Sequence, residues 1–364
     1  MQDTSFFSVI AAHEFKNGKV LDISGGGKAL VISDFHMGTG KNDDLAENGD
    51  LLISLLEEYY FKNGWNLVLN GDIEEILRHS LEQIQKRWEK MFRIFDLFAG
   101  ENRLYKIIGN HDEALLFKRS YPYPLYDLIK IETGVIPAFV FHGHQLSNIY
   151  SKYGRYISAA VRYILNPLGL KNISSARSPY RRFFAEKKAY TFSMENNCLS
   201  IIGHTHRPLF ESLGRFDFIK FEIERLCRDY LSLPNEDRHS IEAEVFALLR
   251  ELRKLKRKEK RDVLRHSIYG DELPIPCLFN SGSAIGKKGI HAIEISHEDI
   301  ALVYWFVKGQ GMSFINRGNY QIEEIKDTPY RRAVLNQDRL DYISARIKLL
   351  GNRETSAPTV IPAV

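Results

Sequence analysis

Three cysteines in 364 residues are too few and too scattered for a disulfide-stapled scaffold. Cys198, Cys227 and Cys277 form no closely spaced pair, which also excludes a zinc-finger site. A reducing cytoplasm is the compartment expected. Long apolar runs are missing as well. No stretch approaches the ~18 residues needed to span a bilayer, so no membrane crossing is expected. The apolar stretch near the start, Phe6 to Ala12, is short and has no basic flank, unlike a secretory signal. Charge of one sign is scarce on average, at net +4, which makes no case for nucleic acid. Internal repeats are absent. What remains is 44% hydrophobic and 26% charged, the make-up of an ordinary globular chain. Its length is near the point where one core starts to divide. One large domain with insertions is expected.

Five short polar blocks stand out from this background. They are Asp34-Phe35-His36, Gly71-Asp72, Gly109-Asn110-His111-Asp112, His142-Gly143-His144 and Gly203-His204-Thr205-His206. They hold half of the twelve histidines, which histidines satisfied in a core would not do. Apolar runs of strand length lead into them: Lys28 to Ser33, Asn66 to Leu69, Leu104 to Ile108, strand-like segments from Ile129 to Phe141, and Leu199 to Ile202. Such continuous runs read as strands buried on both faces. Helical spacing over Asp50 to Phe61 and over Ser80 to Phe98 separates the first three. The order βαβα predicts a central sheet with helices outside. Ligands then sit at strand ends, where α/β sheets build their sites.

The residue types suit a pair of divalent cations. Such ions lie ~3.5–4 Å apart when both grip one phosphoryl group, and need a carboxylate to bridge them. Asp72, alone after a glycine at a strand end, suits the bridge. Asp34 and His36 alternate across Phe35, so an extended segment would point both to one side. His204 and His206 repeat that spacing. Asn110 offers a carboxamide oxygen. Imidazole and oxygen donors without thiolate suit manganese, iron or zinc. His111 would face away from Asn110 in an extended segment and lie over the phosphate, with Asp112 holding its other ring nitrogen. The nucleophile expected is a metal-bound hydroxide, with a pKa near ~7. His144 reads as a substrate contact or a loop histidine. Glu74 and Glu75 read as acids capping a helix N-terminus.

In order and spacing the blocks resemble the calcineurin-like metallophosphoesterase family, whose pattern is Asp-x-His, Gly-Asp, Gly-Asn-His-Asp/Glu, His and Gly-His-x-His. The resemblance implies a four-layer αββα sandwich, here with two helical insertions, and assigns Asp34, His36 and His206 to one metal. Asn110, His142 and His204 would hold the other, Asp72 would bridge, and His111 would be catalytic beside Asp112. It covers residues 28 to 212 and 275 to 307, with the strands Pro276 to Asn280, Ile290 to Ile295 and Ile300 to Val307 in the second sheet. The helical insert, the Gly-His-Thr-His-Arg-Pro wording and Asn280-Ser281-Gly282-Ser283 are also similar to the UDP-diacylglucosamine diphosphatases of lipid A synthesis. Those enzymes have Arg where this chain has His111, and Asp where it has His144.

The expected organisation is an N-terminal extension (1–27), a metallophosphoesterase domain (28–310) and a C-terminal segment with a helix over Gln337 to Leu350 and a frayed tail (311–364). Two inserts interrupt the domain. Residues 150–190 read as two helices broken at Asn166 to Gly169. With Arg155, Arg177, Arg181 and Arg182 among many tyrosines, they read as a lid that grips a second phosphate or carboxylate. Residues 215–266 read as a charged helical insertion whose stretch Arg250 to Arg265 is strongly basic. That stretch is either a solvated helix face or an attraction to anionic lipid or nucleic acid. The expected function is hydrolysis of a phosphodiester or diphosphate, small or lipid-linked, in the cytoplasm or at the inner face of the membrane. A phosphomonoesterase, or a nuclease using the basic insert, is the alternative.

Overall fold

The computed structural model describes residues 18–40, 43–146, 179–210, 275–285, 289–310, 320–326 and 328–350, with parts of 223–253. Among the described residues, fourteen strands build two sheets. The first half contributes β1 (Gly18–Asp22), β2 (Lys28–Ile32), β3 (Asn66–Asn70), β4 (Leu104–Ile107), β5 (Leu125–Tyr126), β6 (Leu128–Glu132) and β7 (Ala138–Val140). The second half contributes β8 (Leu199–Ile202), β9 (Pro208–Phe210), β10 (Leu278–Ser281), β11 (Ile290–Ser296), β12 (Asp299–Val307), β13 (Gln321–Glu324) and β14 (Tyr330–Arg339). One sheet runs β13-β14-β12-β11-β2-β3-β4-β5 and the other β1-β6-β7-β8-β10-β9.

The apolar runs lie where their composition puts them. β2, β3, β4 and β5 pair in parallel, and in the register Val31↔Val68 their side chains alternate between two covered faces. Leu30, Ile32, Leu67 and Leu69 join a core under helices on one face. Val31 and Val68, equally buried, point to the other. There β10 packs against β11, β9 against β12 and β4 against β6. The outer helices on the larger sheet are α1 (Gly49–Ser54, continued as a π-helix over Leu55–Phe61), α2 (Leu81–Arg87) and α3 (Glu89–Gly100). α4 (Pro179–Asn196) covers β8 and β10 of the smaller sheet. The result is the αββα layering.

Several sequence expectations change here. The helix read over Ser80 to Phe98 is two helices. Ser80 and Gln83 form a reciprocal cap at the start of α2. Trp88 then leaves helical geometry, and its buried indole donates to the Gly38 carbonyl at 3.2 Å. The late strands do not all enter the second sheet. β10 does, beside β8, but β11 takes the free edge of β2 in antiparallel register and carries β12 with it. β1 falls within the supposed extension and pairs with β6, while β13 and β14 extend the larger sheet beyond residue 310. β14 is tied down by a buried ion pair, Arg332 Nη2 to Glu294 Oε2 at 2.5 Å. α5 (Leu340–Leu350) begins where that strand ends and buries Leu340, Ile343 and Ile347. Alternation in β13 and β14 is broken by charge, so neither read as a strand.

By its internal contacts the chain divides into Met1–Phe210 with Cys277–Val364, and a second unit, Glu211–Pro276. The described parts of the second unit before residue 275 are helical, and there Tyr230 donates to Glu242 Oε1 at 2.9 Å. The break read at Asn166 to Gly169 and the basic stretch beyond Arg253 lie outside the described residues. Among those described, no helix is long and apolar enough to cross a membrane.

Candidate metal centre

The polar blocks sit on loops at the carboxyl ends of parallel strands, from both sheets. Asp34 and His36 follow β2, Asp72 follows β3, and Asn110 and His111 follow β4. His142 follows β7, and His204 and His206 follow β8. The loops after β2 and β3 run alongside each other, since Asp34 N donates to Gly71 O, His36 N to Asp72 O and Met37 N to Ile73 O.

These loops are not extended. Asp34, His36, Asp72, His204 and His206 all have left-handed backbone, with φ from 47° to 63°. The alternation expected of Asp34-Phe35-His36 is therefore wrong in mechanism. The two side chains converge because the chain curls around Phe35, which is fully buried. A left-handed non-glycine residue costs about 1–2 kcal/mol, so surrounding bonds must hold each of the five. Close approach also demands glycine: a Cβ on Gly109 would lie 2.1 Å from Asp72 Oδ1.

Three groups of side chains present ligand atoms within 4.8 Å of one another: Asp34-His36-His206, His36-Asp72-His111 and Asp72-His142-His204. Asp72 belongs to two of them. Its Oδ2 lies 3.2 Å from His142 Nε2 and 3.9 Å from His36 Nε2, while its Oδ1 accepts from His111 N at 2.8 Å. On the first group, His206 Nε2 is 3.1 Å from Asp34 Oδ1 and 3.4 Å from His36 Nε2. Asp34 Oδ2 is taken by Ser33 Oγ at 2.5 Å and by His204 N at 3.0 Å.

Several of these atoms are poor partners for each other and good partners for a cation. Asp34 Oδ1, Asn110 Oδ1 and His142 Nε2 are buried without a hydrogen bond; the 3.1 and 3.2 Å contacts at Asp34 and His142 lack hydrogen-bond geometry. Such orphaned groups are costly unless something pairs with them. The field points the same way. Burial opposes a charge on His142, yet Asp72 and Asp34 outweigh it and lift its pKa to about 9. A potential that holds protons on buried imidazoles also holds cations. Burial, helped by His142, pushes His204 down to about 3, leaving a neutral ring of the kind a metal takes. The donor set fits divalent ions.

Ring orientation is set from behind. His142 Nδ1 donates to Asn70 O at 2.7 Å. Glu75 Oε2 accepts from His36 Nδ1 at 3.1 Å and from His111 Nδ1 at 2.8 Å. Each ring thereby keeps Nε2 for the centre. Burial raises the Glu75 pKa, but bonds to His111 and His36 prevail and bring it to about 2. The partner expected for His111 was Asp112. That carboxylate is instead committed below the turn, accepting from Gly109 N at 2.6 Å, Ile73 N at 2.9 Å and Lys106 Nζ at 2.8 Å. Glu74 and Glu75 cap no helix: Glu74 is fully buried and accepts from Lys106 and Tyr121. The spacing of Glu75, three after Asp72, was its only trace in the sequence, and nothing local marked Lys106.

His111 is 20% exposed at its side chain. Burial disfavours its charge, yet Asp72 and Glu75 together raise its pKa to about 9. His144 is buried, its ring 5.4 Å from that of His142 and 6.3 Å from that of His204. Burial and those two rings hold its pKa well below the usual range. Arg155 and Arg177 lie outside the described residues. Arg181 and Arg182 fall on α4, and their side chains lie outside the described set too.

The model of the calcineurin-like phosphoesterase family matches residues 27–231, more than half of the chain. No curated protein matches. Among solved structures the chain is similar to Yfce, a phosphoesterase from E. coli, at 12% identity over 75% of this chain and 91% of that one, with a TM-score of 0.32.

Proposed function

Since the chain belongs to the calcineurin-like phosphoesterase family, and is thus a metallophosphoesterase, we propose that it cleaves a phosphodiester or diphosphate at a two-cation centre. The observation that carries the two-cation part is the double membership of Asp72, whose carboxylate stands between the Asp34-His36-His206 side and the His142-His204 side. In this reading Asp34, His36 and His206 hold one ion, Asn110, His142 and His204 the other, and Asp72 both. Divalent cations there would act as Lewis acids on the phosphoryl group and lower the pKa of an attacking water.

The chain's own groups do the rest. Glu75 holds Nδ1 of His111, and with the pKa of that ring raised to about 9 it is protonated at neutral pH, so its other nitrogen also carries an N–H toward substrate. A proton held there neutralises a phosphoryl oxygen or passes to the leaving alkoxide. His144, buried beside His142 and His204, lines the floor as a neutral ring. Arg155, Arg177, Arg181 and Arg182 remain proposed contacts for a second phosphate, supported by the arginine and tyrosine content of residues 150–190. That content favours a bulky or amphiphilic substrate, lipid-linked or free, and the basic stretch Arg250 to Arg265 supports peripheral contact with a membrane.

The test is a hydrolysis screen of the manganese-loaded protein against nucleotide-sugar lipids, cyclic nucleotides, DNA and simple monoesters, with His111→Ala in parallel. Diester or diphosphate turnover, with His111→Ala lower by ~100-fold or more but still holding its ions, is expected. Turnover of monoesters alone would overturn the bond assignment. A steep fall of DNA binding with salt, accompanied by DNA cleavage, would favour the nuclease reading.

A further inference from the structure

His204 and His206 hold left-handed backbone, φ 63° and 56°, on either side of Thr205. Such a pair relaxes unless the residue between is held by its surroundings. Thr205 is that anchor. It is 1% exposed, and its hydroxyl is tied twice. It accepts from Asn280 Nδ2 at 2.9 Å and donates to Glu186 Oε1 at 2.9 Å. Asn280, at the end of β10, also donates to the Gly203 carbonyl at 3.1 Å. Its own Oδ1 is fixed by Gly282 N at 2.9 Å.

Glu186 comes from the middle of α4 and is 2% exposed. Its charge is matched by Arg207, with Nη2 2.6 Å from Oε2 and Nε 3.2 Å from Oε1. A carboxylate at that depth is expensive to desolvate, and packing alone would be served as well by an apolar side chain. Both its oxygens reach the segment that carries His204 and His206, Oε1 at Thr205 and Arg207 and Oε2 at Arg207. The same helix also meets the loop after His142, where Lys188 Nζ donates to the Leu146 carbonyl at 3.1 Å.

We infer that Glu186 is a positioning residue. Through the Thr205 hydroxyl it holds the His204–His206 loop in the strained shape that aims both imidazoles at the cation centre. This rests on the two-cation reading of the site. Asn280 anchors the loop from the sheet, and Glu186 closes it from the covering helix.

The experiment is calorimetric titration of Mn²⁺ into the metal-stripped full-length protein, for wild type, Glu186→Leu, Glu186→Gln, Thr205→Val and the double variant Glu186→Leu/Thr205→Val. Glu186→Leu should weaken Mn²⁺ binding by ~10–100-fold. Glu186→Gln, which keeps an acceptor oxygen for Thr205, should recover most of that loss. Thr205→Val, which also removes the bond from Asn280, should lose at least as much as Glu186→Leu, and the double variant should be no worse than Thr205→Val, because the Thr205–Glu186 bond is then removed twice. Unchanged Mn²⁺ affinity in Thr205→Val and Glu186→Leu, or losses that multiply in the double variant, overturns the inference. If Glu186→Leu fails to fold, Thr205→Val alone decides. Wild type binding fewer than two Mn²⁺ ions would instead sink the two-cation reading beneath it.

Discussion

Beneath the turn that carries Asn110 and His111 lies a charge cluster closed to water. Lys106, Glu74 and Asp112 are all 0% exposed, with Lys106 Nζ 2.6 Å from Glu74 Oε2 and 2.8 Å from Asp112 Oδ2. Replacing Lys106 by Met keeps the volume and removes the cation, leaving two carboxylates face to face. Breaking a buried pair from one side costs about 3–5 kcal/mol. With a urea m-value of ~3 kcal/mol/M, at the upper end for small domains, the midpoint should fall by ~1 M or more. The assay is urea unfolding in chelator, so that cation binding does not enter. A pH series sharpens it. Burial already raises the Glu74 pKa and Asp112 adds to this, while Lys106 and Tyr121 oppose. Without Lys106 the folded state takes up a proton at Glu74 more readily than the unfolded chain does. A carboxyl whose folded pKa is raised gains stability as pH falls toward its unfolded value. The deficit of Lys106→Met should therefore shrink from pH 7 to pH 5, and Glu74→Gln added to it should restore much of the loss at pH 7. A deficit under ~1 kcal/mol, well below the cost of an unpaired buried charge, would refute the reasoning. So would one independent of pH.

Asp72→Ala should lose both ions and all turnover; elemental analysis still finding two ions per chain would end its role as the bridge. His291 is 9% exposed with its ring 4.7 Å from that of Tyr304, and burial lowers its pKa to about 4. Its neutral form is the folded form, so stability is lost as pH falls from ~6.5 toward 4, by up to ~3 kcal/mol. His291→Phe should flatten that part of the urea-midpoint profile measured in chelator, and an unchanged profile would show that other groups carry the acid sensitivity.

Much of the larger sheet was legible because its parallel strands are covered on both faces, which forces unbroken apolar runs such as Ala29 to Ile32 and Leu67 to Leu69. β1, β13 and β14 were not legible. They lie at or near sheet edges, where exposed positions dilute the pattern: β13 is exposed along its whole length, and β14 alternates poorly because Arg331 and Arg332 are buried by pairing with Glu324 and Glu294. The residues behind the centre escaped for a related reason. Lys106 and Glu186 look like surface charges in any local window, and only their partners, distant in sequence, reveal them as buried.

By itself, then, the sequence determined the kind of chemistry. Carboxylate, imidazole and carboxamide groups in a fixed order at the ends of buried strands are a property of composition and period, readable without coordinates. Geometry belonged to the tertiary structure. The curled loops, the carboxylate of Glu75 shared by His36 and His111, and the committed state of Asp112 all depend on contacts across dozens of residues. Short-range spacing holds no record of which distant oxygen a ring nitrogen will face.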